Sequence, residues 1–411
     1  MNERPLRLAV LCPHFAPDTA PTGDVMTRIV LELAALGHEL HVVTSLPWYR
    51  AHRIEDGWTG RKVRRETTEW GTITRVDPFP GGDKRNLVRR ALGFVGFSAL
   101  TGALSLRGGR VDAVIAMSPP LTLGLTGWVT HLVRRGPLVF NIQDVFPDAA
   151  VRTGAITNTK VIALGSWLER VSYHRSAAVT VLSDDLRANV AGKMRPSRRH
   201  RVHVIPNFVD TVAIHPADRR SPLRAELGIG EQPVVLYAGN VGFSQSLELL
   251  LAAARELPEV AFVIAGDGAA RVSLGEQAAG LANVHFLPYQ PRERLVDLLA
   301  MGDVHVVPLK AGLGNVSVPS KTYSILAAGR PVLASIDPGT EVTRMVAASG
   351  AGRCVPPDEP TAFVAALRDM LDDPAALAEQ GAAGRRWVEA AASPRAVAVA
   401  YQDLVRSLGR A

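Results

Sequence analysis

Short β-branched runs, each closing on a polar, Gly or Pro position and most followed by room for a helix, recur along the whole chain. This alternation limits the fold more than any other feature of the sequence. RLAVLCP, HELHVVTS, TITRVDPF, VDAVIAMSP, PLVFNIQD, AAVTVLS and HRVHVIPN follow one another in the first half. Between the first two, TRIVLELAALG has apolar residues at helical spacing and ends at Gly37, suited to a C-terminal cap. Near-continuous apolar strands alternating with helices predict a parallel sheet covered on both faces. The pattern restarts with PVVLYAGN, AFVIAGDG, NVHFLPY, VHVVPL, PVLASI and GRCVPP. Two consecutive doubly wound α/β domains are therefore expected, at 1–206 and 207–393, with the join in the polar, proline-bearing stretch 207–233. A final amphipathic helix, 394–411, is expected to return toward the first domain.

The chain has 411 residues, more than one core supports, and 47% of them are hydrophobic against 21% charged, the balance of a folding globular protein. Its two cysteines, Cys12 and Cys354, lie far apart without a CxxC spacing, so neither a disulfide framework nor a zinc site is expected. With no secretion signal read at the N-terminus, the expected compartment is the cytoplasm. Asp-x-Asp, HExxH, GxSxG and GxxxxGK[ST] are all missing, and the eleven histidines are scattered, so no metal site is expected.

Charge is unevenly spread. Residues 1–205 carry 28 Lys and Arg against 17 Asp and Glu, a net of +11, whereas 206–411 carry 18 against 22, a net of −4. The first half therefore calls for an anionic partner. Nucleic acid fits poorly, because aromatic residues are only 6% and do not interleave with the basic segments. A membrane surface fits better. Asp83–Arg110 carries six Lys and Arg around the uncharged stretch 91–106, which is shorter than the ~20 residues of a spanning helix. Residues 84–110 are thus expected either to lie in the plane of an anionic membrane, with RKVRR at 61–65 adding attraction, or to form a buried helix with solvated flanks.

In open α/β sheets ligands sit beyond the carboxyl ends of the strands, so those loops hold the candidate residues. Thr22-Gly23-Asp24 follows the first strand at a helix start, where a glycine admits an anion to backbone N–H groups or merely completes a turn that Asp24 caps. FNIQDVFPDAA brings Gln143 and Asp144 to a strand end, as a sugar-hydroxyl ligand or base with its orienting amide, or as a local turn and cap. LYAGNVGFSQS places Asn240, Gly242 and Gln245 between a strand and a helix, an anion cradle. Gly266 and Gly268 in AGDGAAR do not complete GxGxxG, which argues against dinucleotide chemistry. In NVSVPSKTYSILAAGRPV, Ser320 and Lys321 stand at the mouth of a helix. A cation there opposes the helix dipole unless an anion is bound, so a phosphate site is favoured.

Taken together, VTVLSD, VIPNFVD, LYAGN, IAGDG and SKTYSILAAGRPV resemble the retaining, nucleotide-sugar-dependent glycosyltransferases of family 4, over nearly the whole chain. FNIQDVFPD, YAGNVG and PSK are most similar to the branch that builds bacterial O-antigen, capsule or exopolysaccharide, including N-acetyl-fucosaminyl transferase-like proteins. The resemblance implies the GT-B fold, with two Rossmann-like domains facing a cleft, and metal-independent transfer from a UDP- or GDP-sugar without a cofactor. It implies that Gly23, Asn240, Gly242, Gln245, Gly268, Ser320 and Lys321 border donor phosphate, and that Thr22, Asp24, Gln143 and Asp144 lie on the acceptor side. Asp144 and Lys321 are the catalytic candidates, and Glu341 is a donor contact or a helix cap. The sequence departs from the family where Asn240 and Gln245 replace an Arg and a Lys, and where Val316 and Ser324 replace a Glu pair. With the basic first half, these features lead us to expect a lipid-linked glycan acceptor met at the inner membrane face. A sugar epimerase on the same scaffold and a non-catalytic nucleotide-sugar-binding protein are the competing readings.

Overall fold

The computed structural model describes residues 4–50, 53–79, 87–146, 148, 158–313 and 321–409, the side chains of 87–92 excepted. The chain divides into two compact units, Met1–Asn207 with Val397–Ala411, and Phe208–Ala396.

The first unit contains β1 (Arg7–Leu11), β2 (Glu39–Ser45), β3 (Val63–Thr68), β4 (Gly71–Val76), β5 (Ala113–Ser118), β6 (Leu138–Ile142), β7 (Ala178–Val181) and β8 (Val202–Val204). They form one sheet in the order β3-β4-β2-β1-β5-β6-β7-β8. Leu8 pairs with Leu40 on one side and Ala113 on the other, and every described pairing except β3 with β4 is parallel. The helices are α1 (Pro21–Ala35), α2 (Leu87–Ser105), α3 (Thr122–Arg134), α4 (Thr159–Arg175) and α5 (Asp184–Gly192). Since parallel crossovers are right-handed, the leftward step β1–α1–β2 and the rightward steps through α2, α3 and α4 put α1 on one face and the other three on the opposite face. β5 and β6 are buried along their full length, as strands covered on both faces require.

Strand β3 has no counterpart in the sequence reading, which took Arg61–Arg65 as a basic surface stretch. Val63–Thr68 instead pairs antiparallel with β4 across the Gly71 turn. Its charged, largely exposed residues suit a sheet edge, where charge discourages pairing with another chain. One of them, Glu66, accepts a 2.9 Å bond from Arg75 Nε, and the buried Arg75 donates on to the carbonyl of Ala16 at 2.6 Å.

The second unit contains β9 (Val234–Ala238), β10 (Ala261–Ala265), β11 (Val284–Leu287), β12 (Val304–Pro308), β13 (Val332–Ser335) and β14 (Gly352–Val355), all parallel, in the order β11-β10-β9-β12-β13-β14. Its helices are α6 (Pro222–Glu226), α7 (Glu248–Glu256), α8 (Arg271–Gln277), α9 (Leu295–Met301), α10 (Lys321–Ala327), α11 (Glu341–Ser349), α12 (Pro360–Leu371) and α13 (Pro374–Ala391).

The last helix, α14 (Pro394–Gly409), contributes Val397 onward to the first unit. Its buried Tyr401 hydroxyl accepts from Asn141 Nδ2 at 2.6 Å and lies 3.1 Å from Thr180 Oγ1. Gln402 Oε1 meets His38 Nε2 at 2.9 Å. Replacing Tyr401 with Phe strips a buried amide of its best partner, so Tyr401→Phe is expected to lower stability by ~1–3 kcal/mol. The measurement is the urea midpoint, with an unchanged denaturant slope showing that the unfolded surface is the same.

Candidate functional site

At the carboxyl end of β9 the backbone runs through Gly239 at φ +149°, beside Gly266 at φ +136° at the end of β10. A Cβ on Gly266 would fall 1.9 Å from the Gly239 carbonyl oxygen, so only glycine lets the two strand ends come so close. Helix α10 opens with Lys321, whose ammonium lies 3.9 Å from the centroid of the Tyr237 ring and 3.0 Å from where a Gly239 Cβ would be. Tyr237 is fully buried, and its hydroxyl donates to the Asn240 carbonyl at 2.6 Å. Among the described residues no carboxylate pairs with Lys321. Burial alone therefore drags its pKa down to about 7. An aromatic face attracts a cation but cannot neutralise it, and the ammonium remains short of one anion.

Four of the residues expected to hold phosphate, Asn240, Gly242, Gln245 and Gly268, lie in the turns that follow β9 and β10. The Asn240 carboxamide lies between Gly242 and Gly268, since a Cβ at either would meet it at 2.7 and 2.8 Å. Gln245 turns inward, its Oε1 accepting from Gly242 N–H at 3.0 Å, so it holds the loop's shape. Glu341 opens α11 and is ion-paired at 2.9 Å with Arg344 one turn on, the helix-end alternative. Ser320 lies outside the described residues. Next to Gly266, a pocket of about 480 Å³ is lined by Asp267, Arg271, Phe286, Pro288 and Tyr289. The Arg271 guanidinium stacks 3.9 Å from the Phe286 ring centroid, making a flat wall. Sequence reading passed over this pocket, because its residues come from the ends of two separate strands and form no motif.

In the first unit, α1 starts at Pro21 with Thr22 and Gly23 in its first turn, and no side chain caps it. Asp24 is exposed. Gly23 has a packing reason, for a Cβ there would lie 2.8 Å from that of His14. The loop above it holds a pair that sequence reading missed: His14 Nδ1 is 2.6 Å from Asp18 Oδ2, and Asp18 is buried. Tyr49 N–H donates to the other Asp18 oxygen at 3.0 Å, and Trp48 stacks on the imidazole at 5.6 Å between centroids. Donating Nδ1–H to Asp18 leaves His14 Nε2 as the free nitrogen, an arrangement able to accept a proton or bind a hydroxyl. The available signal was a His and an Asp four apart, between prolines, directly after a strand. At the end of β6, Gln143 is buried and donates to Asn141 Oδ1 at 3.0 Å, whereas Asp144 is exposed. Strand β5 separates these two strand ends.

Two consecutive parallel α/β units, each with its polar groups beyond the strand carboxyl ends, define a GT-B architecture. The chain is similar to sucrose-phosphate synthase from Thermosynechococcus elongatus at a TM-score of 0.66, with 19% identity over 98% of this chain and 99% of that one. It is also similar to Anabaena Alr3699/HepE, solved in complex with UDP-glucose, at a TM-score of 0.62, with 14% identity over 98% and 100% of the two chains. Residues 22–207 match the glycosyl transferase 4-like domain, and residues 219–387 match glycosyl transferases group 1. The chain is thus a glycosyltransferase made of these two domains in that order. WcaI of Escherichia coli (strain K12), named for a glycosyl transferase of colanic acid biosynthesis, is 28% identical over 89% of this chain and 92% of its own length.

The depressed Lys321 pKa has a thermodynamic consequence. An unfolded lysine keeps its proton to about 10.4, while the folded one releases it above about 7. Between these values unfolding takes up a proton, and stability rises with pH. Without ligand, the wild type is expected to gain stability from pH 7 to 9, and Lys321→Met to lose that gain. Melts across the range decide; identical slopes would mean that the amine stays charged.

Proposed function

We propose that the protein transfers a sugar from a nucleoside-diphosphate sugar to a lipid-linked glycan acceptor in cell-surface polysaccharide synthesis, with retention at the anomeric carbon. The observation that carries this reading is the buried Lys321 ammonium, unpaired among the described residues and set against the glycine-lined end of β9. The bond from the anomeric carbon to the diphosphate oxygen breaks, and a bond to the acceptor oxygen forms on the same face. The diphosphate leaves with the electron pair and takes up the proton of the acceptor hydroxyl, and Lys321 with nearby backbone N–H groups meets the departing charge. The Arg271–Phe286 pocket, reached from the same turn through Gly266, takes the base. HepE, a fold neighbour, was solved with UDP-glucose, and WcaI is named for colanic acid biosynthesis; both support the substrate classes. Within the first unit, His14 held by Asp18 and the exposed Asp144 serve the acceptor side.

Calorimetry with UDP, GDP, dTDP and ADP tests the donor site. One of them is expected to bind and to raise the melting temperature by mass action. Loss of a charge-assisted contact in Lys321→Ala should weaken that binding roughly 10- to 100-fold. Binding that ignores the substitution, or silence across all four, would overturn the assignment. Turnover of donor sugar without acceptor would point to an epimerase.

For the acceptor side, Asp18→Asn is expected to lower kcat/KM for the acceptor by about 10- to 100-fold, on the same hydrogen-bond scale. Diphosphate affinity should not change. An equal loss in both would move the His14–Asp18 pair to the donor.

A further inference from the structure

Helices α2, α3 and α4 lie on one face of the first unit's sheet, with α3 packed against both neighbours. Ordinary surface helices bury their large apolar side chains, whereas these three leave several of theirs exposed. Beside Leu123 and Arg134, the buried face of α3 is small: Gly124, Thr126, Gly127 and Thr130. A Cβ on Gly124 would stand 2.4 Å from Ser172 Oγ of α4, and one on Gly127 2.7 Å from Leu138 of β6. Hydroxyl pairs join α2 to α3, Ser98 to Thr122 at 2.7 Å and Ser105 to Thr130 at 2.6 Å. Phe97 of α2, Leu123 of α3 and Tyr173 of α4 are buried, but a further set of large apolar side chains points outward. Val129, Leu132 and Val133 of α3 are exposed, Leu132 at 57%, as are Val161, Leu164 and Trp167 of α4, Trp167 at 56%. Val95 of α2 adds to them.

The charge on this face has one sign. Across the three helices the only acidic residue is Glu169, which is buried and held by Lys193 and Tyr173. Lys160, Arg170 and Arg175 are exposed on α4, and Arg107 and Arg135 follow α2 and α3 at the surface. Arg175 lies 4.3 Å from the ring centroid of Trp128, which joins the outer faces of α3 and α4.

We propose that this three-helix face docks on an anionic lipid bilayer, with Leu132, Leu164 and Trp167 entering the headgroup and acyl boundary and the Lys and Arg rim binding lipid phosphate. Of the two alternatives expected for 84–110, the described part of α2 buries Phe97, Ser98, Thr101 and Ser105 and leaves Val95 outside, so the proposed contact rests mainly on α3 and α4. Contact with a second copy through the same face would set like charges against each other. Among the described residues no helix is long and apolar enough to cross a membrane, so docking is in the plane of the surface. The inference gives a surface to the lipid-linked acceptor reading, but it is read without donor or acceptor, so either can fail alone.

The test is flotation of the full chain with vesicles of phosphatidylcholine and phosphatidylglycerol in equal parts, against phosphatidylcholine alone, at low salt. Wild type is expected to float with the mixed vesicles and to be released by salt. The doubly substituted Leu132→Glu, Trp167→Glu chain should lose at least about 10-fold in partition, and Lys160→Ala with Arg170→Ala roughly 5-fold per charge. A preserved melting temperature and nucleoside diphosphate binding would show that the fold and donor site are intact. Wild type that stays with neither vesicle, or variants that float as well as wild type, would overturn the proposal. So would light scattering showing that the apolar substitutions merely split a dimer.

Discussion

A parallel strand can be followed by its neighbour only after the chain has crossed back over a face of the sheet, and that crossing decides where charge accumulates. At the amino ends of the strands the carboxylates are neutralised. Asp112, ahead of β5, pairs with Arg4 at 2.6 Å and accepts the Arg7 N–H. Asp303, ahead of β12, binds Arg219 at 2.8 Å and accepts from Val234 N–H. At the carboxyl ends the loops leave glycines, the exposed Asn240 and Lys321, which is unpaired among the described residues. One end of each sheet is electrostatically closed and the other is left open to a ligand.

Asp303 and Lys321 make the contrast within one unit. Both are largely removed from water, and burial opposes the charged form of each. Around Asp303 two guanidinium groups and a backbone N–H outweigh that penalty and hold its pKa below the usual carboxylate range. Around Lys321, among the described residues, only the Tyr237 ring opposes it, and the amine falls to about 7. A protein that needed a cation there merely for packing would gain by supplying a carboxylate; one that must release a diphosphate would not. On the proposed reading, a bound phosphate would relieve the cost of burying this amine.

Much of this was legible from spacing. The apolar strands, the restart near residue 233 and the Gly-bearing turns after β9 and β10 are local signals, and local signals survive in a single sequence. The same holds for Lys321, because a lysine at a helix mouth is already a conflict with the dipole. What was not legible depends on pairing across distance. Strand β3 reads as a basic stretch until β4 is set beside it. His14 and Asp18 become a pair only when the loop folds over Gly23, and Arg271 meets Phe286 only when β10 and β11 are neighbours. Tyr401 in the last helix closes on Asn141 and Thr180 from more than half the chain away, which no periodicity announces.

The close fit of α3 ties these levels together. Gly124 and Gly127 let the helix approach Ser172 and Leu138 more nearly than any larger residue would allow, and the hydroxyls of Thr126 and Thr130 find partners in that narrow space. A helix held by small residues and short hydrogen bonds needs fewer of its large side chains for packing, as helices within membranes show, and of the large apolar residues of α3 Leu123 alone is buried. The large side chains of such a helix are then free to face outward. In water they form an apolar patch that promotes association, so an outward Leu and Trp flanked by Lys and Arg are tolerated at a cost that only a surface able to bury the first and neutralise the second removes. The glycines that bring α3 close to the sheet and the Leu132 that faces away from it are therefore two results of one choice of helix face.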